Sequence, residues 1–287
     1  MNMSNGLNWL VTGASQGFGR CLAADALGRG DAVTVVVRDG ASVADLVAAH
    51  PGRVDLIEAD LRDPDAVDRV TAVIERAPID VLVNNAGRAI AGAAEEVSME
   101  QLREQLELNF FAAAALTRAA LPGMRERGTG TVVQMSSQGG RLSFPAVGAY
   151  SASKFALEGW SEALAAEVAE FGVRVLIVEP SRFRTGFNTG RSLAVTAPSE
   201  VYSRTVGVVQ RDLTGSDGAQ EGDPARAARI IGDLVRSDDV PLRLPLGAEA
   251  VERLTTAYSS GLDGVRRWAD LARSADFPGV DGAPRPV

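Results

Sequence analysis

Six apolar runs, LNWLVTG, AVTVVVR, RVDLIEAD, DVLVNNAG, GTVVQMSS and VRVLIVEP, follow one another through roughly the first 180 residues, with helix-length spacers between them. Runs this uniformly apolar do not suit a sheet with one wet face, where side chains alternate between core and water. They suit strands covered on both faces. The spacers near 17–29, 64–77, 98–127 and 150–171 carry apolar residues three to four apart, the period of helices with one buried stripe. Alternating strands and helices of this kind pair in parallel, because each helix returns the chain to the same end of the sheet. The predicted fold class is α/β, a doubly wound, mostly parallel sheet of about seven strands with helices on both faces, PLRLPL near 241–246 supplying the last strand.

No long linker or internal repeat divides the chain, and 287 residues at 46% hydrophobic content can bury one large core, so residues 1–287 are read as one domain. After Pro180 the sequence turns rich in Gly, Ser and Thr, which predicts helical pieces and mobile loops; residues 181–222 are the expected substrate lid. A helical extension is expected near 248–273. The net charge of −8 argues against a general nucleic-acid or anionic-membrane binder. The longest apolar stretches, such as FFAAAAL at 110–116, fall far short of the ~20 residues of a membrane span. One cysteine, Cys21, cannot form an internal disulfide, and MNMSNGLNWLVTG lacks a basic segment followed by a secretory apolar stretch; a cytoplasmic setting is expected. His50 and Cys21 are too few to build a zinc site, and His50 has no G-x-S-x-G partner, so neither metal nor serine–histidine hydrolysis is expected.

The first strand runs directly into Gly13, Ser15, Gln16, Gly17, Phe18 and Gly19, and a helix pattern starts at once. Glycines allow a tight turn and close ligand approach, while the free N–H groups opening the helix attract a pyrophosphate, as in a Rossmann-type dinucleotide site. The second strand ends at Val37-Arg38, where the adenosine ribose would lie. Val37 offers no carboxylate to the ribose hydroxyls, whereas Arg38 can pair with a 2′-phosphate, so NADP(H) is expected in preference to NAD(H). The third and fourth strands end in Asp60-Leu61 and in Asn84, Asn85, Ala86 and Gly87, where the cofactor should lie, although turn stabilisation by the asparagines explains them as well.

Ser137 is followed thirteen residues later by Tyr150, and Lys154 lies four residues beyond on the same helix face. A free tyrosine ionises near ~10, and a neighbouring ammonium stabilises the phenolate and lowers that value toward useful acid/base chemistry.

With TGASQGFG, NNAG, Ser137 and YSASK in this order and spacing, the chain resembles the short-chain dehydrogenase/reductase family from residue 7 to about 190. Three residues between Gly13 and Gly17 fit its compact branch rather than the epimerases. VEPSRFRTGF resembles the segment that closes over the nicotinamide, which implies cofactor contacts from Pro180, Phe183 and Thr185; Ser181 stands where the family commonly has glycine. The resemblance implies Tyr150 as proton donor or acceptor and Ser137 as partner of the substrate oxygen. It implies Lys154 as holder of the nicotinamide ribose and depressor of the tyrosine pKa, and Asn109 as support for a water-linked proton relay. The C-terminal run from DPARAARIIGDLV onward is similar to a subgroup resembling 17β-hydroxysteroid dehydrogenases, without identifying a steroid substrate. The expected activity is hydride transfer between nicotinamide and a small-molecule carbonyl or secondary alcohol. The rival is a dinucleotide-binding regulatory protein with little turnover. Relatives imply a homodimer or homotetramer, although internal packing explains the same apolar helix residues.

Overall fold

A computed structural model describes residues 6–197, 199–277, 279, 280 and 282. In chain order the elements are β1 (Asn8–Thr12), α1 (Gly17–Gly28), β2 (Ala32–Val37), α2 (Ala44–Ala49), β3 (Val54–Glu58), α3 (Pro64–Ile74), β4 (Val81–Asn84), β5 (Ala89–Ala91), α4 (Met99–Leu106), a π-helical turn (Glu107–Phe111), α5 (Ala112–Arg127), β6 (Gly130–Met135), α6 (Gly148–Val168), β7 (Val173–Pro180), β8 (Leu193–Val195), α7 (Val206–Gly215), α8 (Pro224–Arg236), β9 (Arg243–Leu246) and α9 (Ala248–Arg273). Seven strands form one parallel sheet in the order β3-β2-β1-β4-β6-β7-β9. The chain moves outward from β1 to β3 and then crosses to β4, so the strand order reverses beside β1, and ligands of such sheets lie outside the carboxyl ends of the strands there.

The Rossmann-type fold follows from where the apolar side chains go. Along β1, Trp9 and Val11 join Leu22, Val35, Val83 and Ile231 under α1 and α8. Leu10 between them joins Val36, Leu82, Val132, Leu116 and Ile177 under α3, α5 and α6. Both faces of the strand are dry, as its uninterrupted apolar run requires. Helix starts are set locally: Asp63 accepts from the Asp65 N–H with Pro64 opening α3, Ser98 and Gln101 form a reciprocal capping box, and Asp223 caps α8 ahead of Pro224. Asp31 ties α8 to the sheet, accepting from the Trp9 indole at 2.8 Å and pairing with Arg236.

Two local features depart from expectation. The segment 98–127 is a helix pair joined by the π-helical turn, not one helix. Asn109 sits inside that turn, its amide donating to the Arg88 carbonyl at 2.9 Å and to Ser153 at 3.0 Å, and its oxygen accepting from the Arg88 N–H at 3.0 Å. Making those contacts from within a helix takes one extra residue in the turn. The lid region, expected to consist of helical pieces and loops, also carries a strand: β8 pairs in parallel with β5, Leu193 opposite Ala89, and α7 follows. Each of these strands is only three residues long, too short for periodicity to reveal. Among the described residues, no helix is long and apolar enough to cross a membrane, and no group of three or more His, Cys, Asp or Glu side chains gathers as a metal site would require.

Candidate active site

The glycine turn after β1 is closed by the end of β4. Thr12 Oγ1 accepts from the Asn85 and Ala86 N–H groups, both at 2.9 Å, while the Asn85 amide donates to the Thr12 and Gly13 carbonyls at 2.8 and 3.1 Å. This cross-bracing holds the turn open toward the cleft. Gly13 and Gly17 have φ of +68° and +56°, a region that favours glycine. A Cβ on Gly17 would lie 2.7 Å from that of Thr185, so the lid rests directly on this turn.

A cleft along the carboxyl ends of β1 to β4 is lined by Gly13, Ser15, Gln16, Gly17, Phe18, Arg38, Asp60, Leu61, Asn85, Ala86, Gly87 and Thr185. It suits a dinucleotide: a side-chain-free turn, open backbone, and arginines where phosphates would need them. Gly19 and Asn109 do not line it. Gly19 packs beneath the turn, where a Cβ would stand 2.5 Å from both the Gly13 carbonyl oxygen and the Asn85 amide nitrogen. Asn84 also turns inward, its amide donating to Thr117 at 2.9 Å and Gln134 at 3.1 Å. Residues of the cleft that the motifs did not reveal include Ser42, Arg62, Arg88 and Arg191. Arg62 follows Asp60 so closely that the two pair at 2.5 Å, and that ion pair, with the carboxylate held below its usual range by the guanidinium, is the signal that was available.

A second cavity joins the first at Phe18, Asn85, Gly87, Thr185 and Phe187, and holds Ser137, Tyr150 and Lys154. Pro180 and Phe183 also face it, with the Phe183 ring tilted against that of Phe18, centroids 4.9 Å apart. Ser137 ends the strand-derived segment after β6, and its hydroxyl oxygen accepts from the Gly139 N–H at 3.0 Å. Tyr150 enters from the first turn of α6 and lines the same cavity as Ser137. Lys154, one turn on and buried, donates to the Met135 carbonyl at 2.7 Å, with its ammonium 5.9 Å from the centre of the Tyr150 ring. Phe144, Val147, Phe187, Leu193 and Leu213 make an apolar wall, and Arg253 of α9 lines the cavity from outside the expected lid, 181–222.

The electrostatics correct one expectation. Burial pushes the Tyr150 phenol up to about 12, opposed by Ser137, and Lys154 is not among the groups that move it. The ammonium is aimed at a carbonyl and is itself pushed down to about 8 by burial, with Glu158 opposing that shift. The phenol is therefore held as a neutral acid at neutral pH. The serine at position 181 lines the second cavity, and its N–H and hydroxyl both donate to the Leu246 carbonyl, at 2.9 and 3.2 Å, drawing the side chain toward the end of β9.

The profile of the short chain dehydrogenases matches residues 8–194, which include Ser137, Tyr150 and Lys154 but not Leu213 or Arg253. The chain belongs to the short-chain dehydrogenase family. It is 34% identical to an oxidoreductase of Botryotinia fuckeliana, BOA17, over 92% of this chain and 97% of that one. The crystal structure of a short-chain dehydrogenase from Streptomyces avermitilis superposes with a TM-score of 0.89 at 45% identity, covering 96% of this chain and 100% of the other. A putative NAD(P)-dependent gluconate 5-dehydrogenase from Beutenbergia cavernae, with NADP bound at low occupancy, superposes at 0.68 with 28% identity, over 84% and 95% of the two chains. Members of the family are oxidoreductases of small molecules, and the Beutenbergia cavernae relative carries NADP.

Proposed function

We propose that this chain is an NADP(H)-dependent oxidoreductase acting between a carbonyl and a secondary alcohol, with Tyr150 as the general acid and base. The observation that carries this reading is that Tyr150, Ser137 and Lys154 line one cavity, which adjoins the dinucleotide-sized cleft. Bound in the first cavity, the dinucleotide supplies the hydride for reduction or takes it up in oxidation. Tyr150, neutral through burial, gives its proton to the substrate oxygen. Ser137, its oxygen held by the Gly139 N–H, offers its own hydrogen to that oxygen as charge develops there. Asn109 supports the site from behind, its oxygen fixing the Arg88 N–H beside Gly87 and its amide bonding Ser153 next to Lys154.

The preference for NADP(H) rests on Arg38 at the end of β2, next to Val37, which cannot bind ribose hydroxyls. The NADP found in the Beutenbergia cavernae relative supports it. Arg38→Ala is expected to weaken NADPH binding ~10-fold or more, as loss of a charge-assisted phosphate contact does, and NADH binding little. Titration of both cofactors by fluorescence checks this, and equal losses defeat the assignment.

Residues 1–287 are read as one cytoplasmic domain, with its C-terminal helices in the manner of the 17β-hydroxysteroid dehydrogenase-like subgroup. Phe111 and Phe155, 52% and 47% exposed on adjoining helical segments, support a homodimer or homotetramer. Light scattering on the eluting protein tests that. The functional test is NADPH consumption against a broad panel of ketones and aldehydes: tight NADPH binding without turnover of any of them would instead mark a dinucleotide-binding regulatory protein.

A further inference from the structure

The charged side chains that line the Tyr150 cavity are Lys154, Arg182 and Arg253; no aspartate or glutamate lines it. Much of the remaining wall is apolar, with Phe144, Val147, Phe187 and Leu213 among its residues. Cations without acids favour a ligand carrying negative charge, and an apolar wall favours a hydrocarbon body. The three cations differ in the donors they have to give. Lys154 donates to the Met135 carbonyl beneath the site. Arg182 is spent: its Nη1 and Nη2 donate to Asp212 of α7 at 3.3 and 2.6 Å, and its Nε lies 3.7 Å from Glu249 of α9. Arg253 pairs only once among the described residues, its Nη2 lying 2.7 Å from Glu249 Oε1, one turn back on the same helix. A guanidinium carries five N–H groups in a planar fork, so a single contact leaves a complete two-donor edge, the shape that matches a carboxylate. Asp212 and Glu249 balance the two arginines in charge, yet it is the arginines that line the cavity.

Arg253 is also held in place. Ala250 and Leu254 on the same helix are buried, which fixes the backbone beneath it. Its guanidinium carbon lies 5.7 Å from the centre of the Phe144 ring, a cation–π contact with the segment that follows Ser137. With 41% of its side chain exposed, it remains open to a ligand. Arg253 lies outside residues 8–194, so the family match assigns it nothing.

We propose that Arg253 is a specificity-determining residue that binds a carboxylate on the substrate, and that the substrate class is an oxo acid, an aldehyde or ketone with an apolar body and a carboxylate. This rests on the oxidoreductase reading given above. The carbonyl meets Ser137 and Tyr150, the hydrocarbon lies along the apolar wall, and the carboxylate takes the open edge of Arg253. The carboxylate plays no part in the hydride transfer. It selects which carbonyl compounds reach it.

The test compares NADPH-dependent reduction of a series of straight-chain oxo acids, each paired with its own methyl ester. In the wild type, kcat/KM for the best acid should exceed that of its ester by ~10-fold or more, as a hydrogen-bonded contact to a charged group does. The difference should lie in KM rather than kcat, because the carboxylate is held alike before and during the reaction. It should shrink with added salt, since the guanidinium is partly exposed. Arg253→Met keeps a stem against Phe144 and removes the charge, and should bring the acid-to-ester ratio to about 1. Arg253→Lys, charged but without the planar edge, should restore part of it. Each ratio is taken within one variant, so a general loss of activity cancels. A wild type that reduces acids and esters alike, or an acid preference that survives in Arg253→Met, defeats the assignment and leaves the oxidoreductase reading standing. A wild type inert to acids, esters and simple ketones alike defeats both.

Discussion

Tyr150→Phe is expected to lower kcat/KM for carbonyl reduction by ~10²–10⁴-fold, the span typical of a lost general acid, while NADPH affinity stays within about twofold. The substitution removes one oxygen and keeps the ring, which packs 5.9 Å from Phe187 and fills the wall of the cavity, so the site should stay assembled. What disappears is a proton held ready. Burial raises the phenol to about 12, so at pH 7 nearly every molecule carries it. Reduction needs the acid form and oxidation needs the base, so in the wild type the rate of alcohol oxidation should climb with pH well beyond the range where reduction is already maximal. Steady-state rates in both directions across pH, with NADPH binding followed by fluorescence, separate these effects. Retention of more than about a tenth of the wild-type kcat/KM in Tyr150→Phe would remove Tyr150 from the reaction.

Lys154 complicates this picture in a useful way. Its four-residue spacing from Tyr150 is readable from the sequence, and so is its proximity. The direction of its influence is not, because that depends on where the ammonium points and what else surrounds it. The carbonyl of Met135 takes the ammonium, and the desolvation that traps the phenol proton also makes the lysine easier to deprotonate. Motif spacing reports which side chains share a face; it carries no information on competing partners from β6. Arg253 was invisible for the same reason. It looks like an ordinary charged residue of its helix, and only the placing of α9 beside Phe144 brings it to the cavity. The strands of the large sheet were legible because being buried on both faces forces an apolar run, whereas β5 and β8 bury three residues apiece and leave no such record. Asn109 was legible by its place in the resemblance, yet the π-helical turn around it was not, since that turn exists to satisfy Arg88, twenty-one residues away.

The glycine-rich turn offers the sharpest contrast between what a motif says and what a structure adds. As a string, Gly13, Gly17 and Gly19 look equivalent. Gly13 and Gly17 are required by their positive φ, whereas Gly19 lies within α1 at an ordinary backbone conformation and does not line the cleft. Its constraint is steric: a Cβ would stand 2.5 Å from the Gly13 carbonyl oxygen and from the Asn85 amide nitrogen, the two groups that hydrogen-bond to each other at 3.1 Å to hold the turn against β4. Gly19→Val therefore has nowhere to place its side chain without parting that brace, and overpacking of this kind costs ~1–3 kcal/mol. The damage to cofactor binding should exceed the damage to stability, because the displaced groups are the wall of the dinucleotide cleft. The NADPH dissociation constant is expected to rise at least ~100-fold, equivalent to about 3 kcal/mol. Gly28→Ala in the same helix supplies the control. Nothing lies within 4 Å of a Cβ there, so alanine should leave NADPH binding unchanged and stabilise the fold by up to ~1 kcal/mol through helix propensity. Thermal unfolding and NADPH titration of the two variants decide the matter. If Gly19→Val binds NADPH as the wild type does, the turn is not braced by the Gly13–Asn85 contact, and the third glycine of the motif is there for some reason other than close packing.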